Sequence, residues 1–82
     1  MAKLTDEQRM QYSPFFQGLW GLLKMYGNPE PGDKYWNALI RDCTTLSNGY
    51  PGDEIVLCLC TGLCEGLEKM QMSREGRDEL HN

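Results

Sequence analysis

The chain has 82 residues, 12 of them acidic and 8 basic, for a net charge of −4. A chain of this length forms one domain with a small core, burying roughly 60–65% of the surface it exposes when unfolded. It has no Lys/Arg cluster to neutralise phosphates, which argues against direct nucleic-acid binding, and no apolar run near the ~20 residues that cross a bilayer.

Met1-Ala2-Lys3-Leu4-Thr5-Asp6-Glu7 turns polar at once and lacks the apolar core of a signal peptide, so a cytoplasmic location is expected. Thr5-Asp6-Glu7-Gln8 matches the capping-box pattern, and Ser13-Pro14 is a second helix-start signal. Two arrangements satisfy both. Either one helix is kinked near Pro14, or a short helical turn precedes a main helix over 14–26. Tyr12, Phe15, Phe16, Leu19, Leu22, Leu23 and Tyr26 share one broad face at ~100° per residue. Gly27 supplies the C-terminal cap, and Pro29 and Pro31 prevent continuation.

Pro31-Gly32-Asp33 and Pro51-Gly52-Asp53 are the same phrase used twice. In each, Pro-Gly makes a turn and Asp is placed as N-cap, its carboxylate accepting from first-turn amides. Two copies fall short of the ~3 repeats a solenoid needs, so shared capping chemistry is the simpler account. The second helix is expected from Asp33 to about Ser47, with a stripe of Tyr35, Trp36, Leu39, Ile40, Cys43 and Leu46 and a stop at Asn48-Gly49. The third follows Asp53 to about Met72. Its buried face is Val56, Leu59, Cys60, Leu63, Cys64, Leu67 and Met70, widened by Ile55 and Leu57. Glu65 and Lys69 stand in the favourable i,i+4 order on its polar face. Residues 73–82 read as a polar tail that frays or extends the helix without packing. All eight aromatic residues precede Pro51, while Gly62 and Gly66 open a notch on the third helix, so Trp36 or the Phe15/Phe16 pair is expected to fill it. The fold reading is therefore all-α: a single domain, 1–82, of three main helices with short links that favour antiparallel neighbours.

The chemistry-bearing residues are few. Cys58, Cys60 and Cys64 lie within one helix, where positions two apart point to nearly opposite sides and an i,i+4 bridge is strained, so a disulfide framework is not expected. Cys43, Cys60 and Cys64 can converge across one interhelical contact, but the fourth ligand of a zinc site is wanting: His81 is distant and Cys58 points away. Cys58 reads as an exposed thiol. With no Walker loop, dinucleotide fingerprint, G-x-S-x-G or C-x-x-C, neither enzymatic activity nor a cofactor is expected. Pro14, Gly18, Gly21 and Met25 form a smooth, uncharged face on the first helix, opposite its aromatic one, and are the candidate partner-binding residues. Met10, Met72 and Cys58 also fall outside the core stripes. The leading functional expectation is a small cytoplasmic interaction or regulatory module that docks to a protein partner or to its own copy. The alternative is a thiol-based metal or redox-sensing module using Cys43, Cys60 and Cys64.

Overall fold

In the computed structural model the chain is an all-α bundle of three helices, α1 (Asp6–Tyr26), α2 (Asp33–Asn48) and α3 (Glu54–Leu80). The structure describes the backbone of residues 2–80 and the side chains of 2–74. Of the two arrangements open for the N-terminal segment, the single continuous helix is the one adopted. The capping box is complete: the Gln8 amide donates to Thr5 Oγ1 (3.1 Å) and the Thr5 amide donates to Gln8 Oε1 (2.9 Å). Pro14 therefore lies inside α1. It removes the amide that would serve the Met10 carbonyl, and both residues are exposed, so water can reach that acceptor.

The two Pro-Gly-Asp phrases do different work. In the second, the Asp53 amide donates to the Tyr50 carbonyl (3.2 Å) and Gly52 takes φ +75°, as position three of a type II turn requires. That turn leaves Asp53 as a true N-cap, its Oδ1 accepting from the amides of Ile55 (3.0 Å) and Val56 (3.2 Å). The first phrase is not closed in that way. Gly32 itself occupies the N-cap position, at φ +105° and ψ 160°, and Asp33 is already helical, with no side-chain cap. The expectation that Asp33 caps α2 is thus corrected: its carboxylate acts only as a negative charge in the first turn. At the far end of α1, Gly27 has a right-handed φ of −65°. It is required for space instead, because a Cβ there would lie 2.5 Å from the Leu23 carbonyl oxygen.

The core contains Phe15, Leu22 and Tyr26 from α1, Leu39 and Cys43 from α2, and Val56, Cys60 and Leu67 from α3. Phe15, Leu39 and Val56, one per helix, have no exposed surface. Tyr50, in the link before α3, closes one end by meeting the Phe15 ring edge-on at 5.5 Å. At the other end phenols fasten α1 to α2. The Tyr35 hydroxyl donates to the Tyr26 carbonyl (2.5 Å), an acceptor left orphaned by the end of α1, and the Tyr26 hydroxyl donates to Asp42. Between α1 and α2, Leu46 seats on Gly18, where a Cβ would meet its Cδ1 at 2.7 Å.

Several expected core positions lie outside. Phe16, Leu23, Ile40, Ile55, Leu57 and Met70 are all 40% exposed or more, because each helix has two neighbours and these residues sit on the flanks of its buried stripe. Gly62 and Gly66 are also exposed, with nothing within 4 Å of an added Cβ. No ring fills that notch: Phe15 is engaged by Tyr50, and Trp36 packs edge-on with Tyr35 at 4.8 Å. α3 runs on past Met72 to Leu80. Residues 73–82, read as a polar tail, are thus helical as far as Leu80; the side chains beyond Arg74 and the last two residues, His81 included, lie outside the described residues.

Two outcomes follow from these contacts. Asp53→Ala should lower stability by about 0.5–2 kcal/mol, whereas Asp33→Ala should cost only about 0.3–1 kcal/mol from the helix dipole, with urea melts of the two variants separating them. The Tyr26 hydroxyl, helped by Arg41, holds the Asp42 carboxyl below its ordinary value of 3.8. A depressed carboxyl contributes stability that is present above pH ~3.8 and lost as pH falls through the lowered folded value. Tyr26→Phe should therefore show a smaller loss of stability between pH 6 and pH 3 than the parent chain, measured by denaturant midpoints at each pH.

Candidate functional site

Two surfaces flank α3, one on each side of its buried stripe. On the α1 side, Phe16, Trp20 and Leu23 follow one another at i, i+4, i+7, and all point outward: they are 50%, 58% and 40% exposed. Together with Leu19 of α1 and Leu63 of α3 they line an apolar groove of about 240 Å³. Its walls carry no charged side chain. On α3 the exposed positions Gly62, Gly66 and Lys69 recur at i, i+4, i+7. The α1 edge carries Lys24, whose Nζ stands 5.8 Å from the centre of the Trp20 ring. Lys69 takes part in none of the ion pairs formed among the described residues, which are Arg9–Asp6 and Arg41–Asp42, so the expected Glu65–Lys69 pair is not formed. The groove is thus an apolar floor with one cation, Lys24, at its α1 edge.

The α2 side of α3 carries the thiols. Cys43, Cys60 and Cys64 line a second groove, of about 290 Å³, with Ile40, Thr44, Ser47, Leu57 and Thr61. The Cys43 and Cys64 sulfurs are 3.6 Å apart. Cys43 and Cys60 are buried, Cys64 is half-buried, and Cys58 is exposed elsewhere on the helix. Burial, reinforced by the Cys64 sulfur, pushes the Cys43 thiol up to about 12, and burial raises Cys60 as well. The three residues singled out in the sequence are therefore neighbours in space. Among the described residues, no group of three or more His, Cys, Asp or Glu side chains has the geometry to hold a metal ion.

The candidate face of Pro14, Gly18, Gly21 and Met25 is divided. Gly18 is covered by Leu46 of α2, Gly21 is half-buried with open space around an added Cβ, and Pro14 and Met25 are exposed. Met10, Met72 and Cys58 are exposed as well. The sequence reading missed the Phe16–Trp20–Leu23 row because it counted Phe16 and Leu23 as core, on a helix face wider than one neighbour can cover. The available signal was Trp20, which falls outside the face assigned to the core.

The chain finds no match in comparisons with protein-family models, with curated proteins or with solved structures. Among the described residues no helix is long and apolar enough to cross a membrane.

Exposure orders the thiols. A water-soluble disulfide reagent should modify Cys58 first in the folded chain, Cys64 next, and Cys60 and Cys43 only slowly, with all four reacting together in denaturant; peptide mapping of quenched time points reads the order directly.

Proposed function

We propose that this chain is a small cytoplasmic docking module, not an enzyme, and that its occupant is an amphipathic helix of another protein with acidic residues flanking its apolar stripe. The observation that carries this reading is the exposed row Phe16, Trp20 and Leu23 on the floor of the α1–α3 groove. Soluble domains seldom leave a Trp, a Phe and a Leu exposed in one line, and Trp is over-represented among the residues that dominate binding energy. A helix laid between α1 and α3 would complete a four-helix arrangement, its a/d-type side chains reaching Leu19 and Leu63 between the exposed rings. Covering the exposed halves of these three side chains is worth about 1 kcal/mol each, so the row anchors the partner but does not by itself offset the cost of association, and the partner's remaining contacts and charges must supply the rest.

Charge decides between a foreign helix and a second copy. Two identical grooves meeting would bring two copies of Lys24 together, whereas acidic flanks on a partner helix would complement it. The cytoplasmic assignment is supported by cysteine placement, since three of the four lie in one helix at spacings that do not form unstrained bridges.

The test uses two synthetic helical peptides of about five turns with the same leucine stripe, one flanked by Glu and the other by Lys. Calorimetry should show the Glu peptide binding the intact chain at least about tenfold more tightly, with affinity falling as salt rises. Trp20→Ala should abolish that binding while leaving the circular dichroism spectrum unchanged. Equal binding of the two peptides would remove the acidic-partner assignment, and binding of neither would remove the groove. Concentration-dependent dimerisation that Trp20→Ala abolishes would assign the groove to a second copy.

A further inference from the structure

The groove on the other flank of α3 carries chemistry that docking does not use. The Cys43 and Cys64 sulfurs, 3.6 Å apart across the α2–α3 contact, need only close by about 1.6 Å to reach the ~2.0 Å of a disulfide bond. Their environments differ in a way that assigns an order of events. Both line the groove walled by Thr44, Ser47, Leu57 and Thr61, but Cys64 is half-buried there whereas Cys43 is buried. We propose that Cys64 and Cys43 form a dithiol site that exchanges with small-molecule disulfides, Cys64 as the attacking thiol and Cys43 as the resolving one, closing a bond between α2 and α3.

The steps balance. Cys64 loses its proton to solvent, and its thiolate attacks one sulfur of a disulfide RSSR. The S–S bond of RSSR breaks, one RS⁻ leaves and is protonated by solvent, and a mixed disulfide Cys64–S–S–R remains. Cys43 then loses its proton and attacks Cys64 Sγ, forming the Cys43–Cys64 bond and expelling the second RS⁻. In sum, one RSSR is reduced to two RSH while two protein thiols are oxidised to one disulfide. Cys43 is poorly suited to begin the sequence, because burial and its sulfur neighbour oppose its thiolate. It is well placed to finish it, since the sulfur it must attack is already in contact. Cys60 lines the same groove but is buried and lies one turn from Cys64 on the same helix, where a bridge is strained. Cys58 is exposed away from both.

The experiment treats the fully reduced chain with oxidised glutathione at mildly alkaline pH, quenches in acid and maps peptides after glutamyl endopeptidase digestion, which separates Cys43 from the three cysteines of α3. The expected result is a cross-link between the Cys43 peptide and the α3 peptide that survives Cys58→Ser and Cys60→Ser and is lost in Cys64→Ser. In Cys43→Ala, chosen to keep the buried site apolar, Cys64 should instead accumulate a stable glutathione adduct. The oxidised parent should also unfold less readily than the reduced one, with an unfolding equilibrium constant lower by on the order of 100-fold in urea melts. A cross-link that persists in Cys64→Ser, one that requires Cys58 or Cys60, or the absence of any intramolecular link while Cys58 is fully glutathionylated would overturn the assignment. So would a cross-link that forms equally fast in the urea-unfolded chain, since that would show the fold does not bring the pair together.

Discussion

The bundle closes around three side chains with no exposed surface, Phe15, Leu39 and Val56, one from each helix. With only three helices, each can hide the stripe that faces this point and little more, and whatever apolar residues lie beyond that stripe stay in water. Eight apolar residues are buried among the described residues, while eleven large ones remain at least 40% exposed. Scattered exposed apolar residues are ordinary in a small domain. Here they are not all scattered: Phe16, Trp20 and Leu23 form a row, and that row is a consequence of making α1 apolar over a wider arc than α2 and α3 can cover.

The groove opens between α1 and α3 along the stretch where apolar residues alone face each other. α1 and α2 are held by the phenols of Tyr26 and Tyr35 and by the seating of Leu46 on Gly18. α2 and α3 meet through Cys43, Cys60 and Cys64, small side chains that permit close approach. Between α1 and α3 the facing residues include Leu19 and Leu63, and the polar link on this seam joins the Tyr12 hydroxyl to the Asp53 carboxylate at the start of α3, away from the residues that line the groove. Gly62 and Gly66 remove bulk from the exposed edge of α3, with open space around each. Their retention at a cost of roughly 1 kcal/mol each in helix propensity fits a surface that something else approaches.

Much of the fold was legible because it is written in local chemistry. The capping box at Thr5, the glycines at the ends of α1 and α2, the second Pro-Gly turn and the helical spacing of Leu39 and Cys43 each act within a few residues, and each stands where the sequence placed it. The misreadings have a common origin in tertiary geometry. Whether Asp33 or Gly32 occupies the N-cap depends on whether the preceding turn closes, and Tyr50–Asp53 closes while Glu30–Asp33 does not. Periodicity defines a helix face but not how much of it neighbours cover, so Phe16, Ile40 and Met70 counted as core and are not. The notch at Gly62 and Gly66 was a genuine feature given the wrong occupant, since which ring reaches it depends on the bundle's rotation about α3. The thiol cluster was legible as a convergence of Cys43, Cys60 and Cys64. The distance that distinguishes the Cys43–Cys64 pair from the rest was not.

α3 thus carries two surfaces that differ in kind and share a helix. Its α1-facing flank borders an apolar groove with Lys24 at the opposite edge, the kind of surface that suits reversible association. Its α2-facing flank holds a sulfur pair at contact distance and suits a covalent change. Val56, Cys60 and Leu67 lie between them as the buried stripe, so a bond between Cys43 and Cys64 would pin α2 to α3 without entering the α1 seam. The two flanks are nonetheless mechanically related, because the position of α3 against α2 determines how far Leu63 stands from Leu19 and Trp20. In a core this thin, with one fully buried side chain per helix, a shift of α3 toward α2 has few intervening atoms to absorb it, and the width of the α1–α3 groove is the dimension left to change.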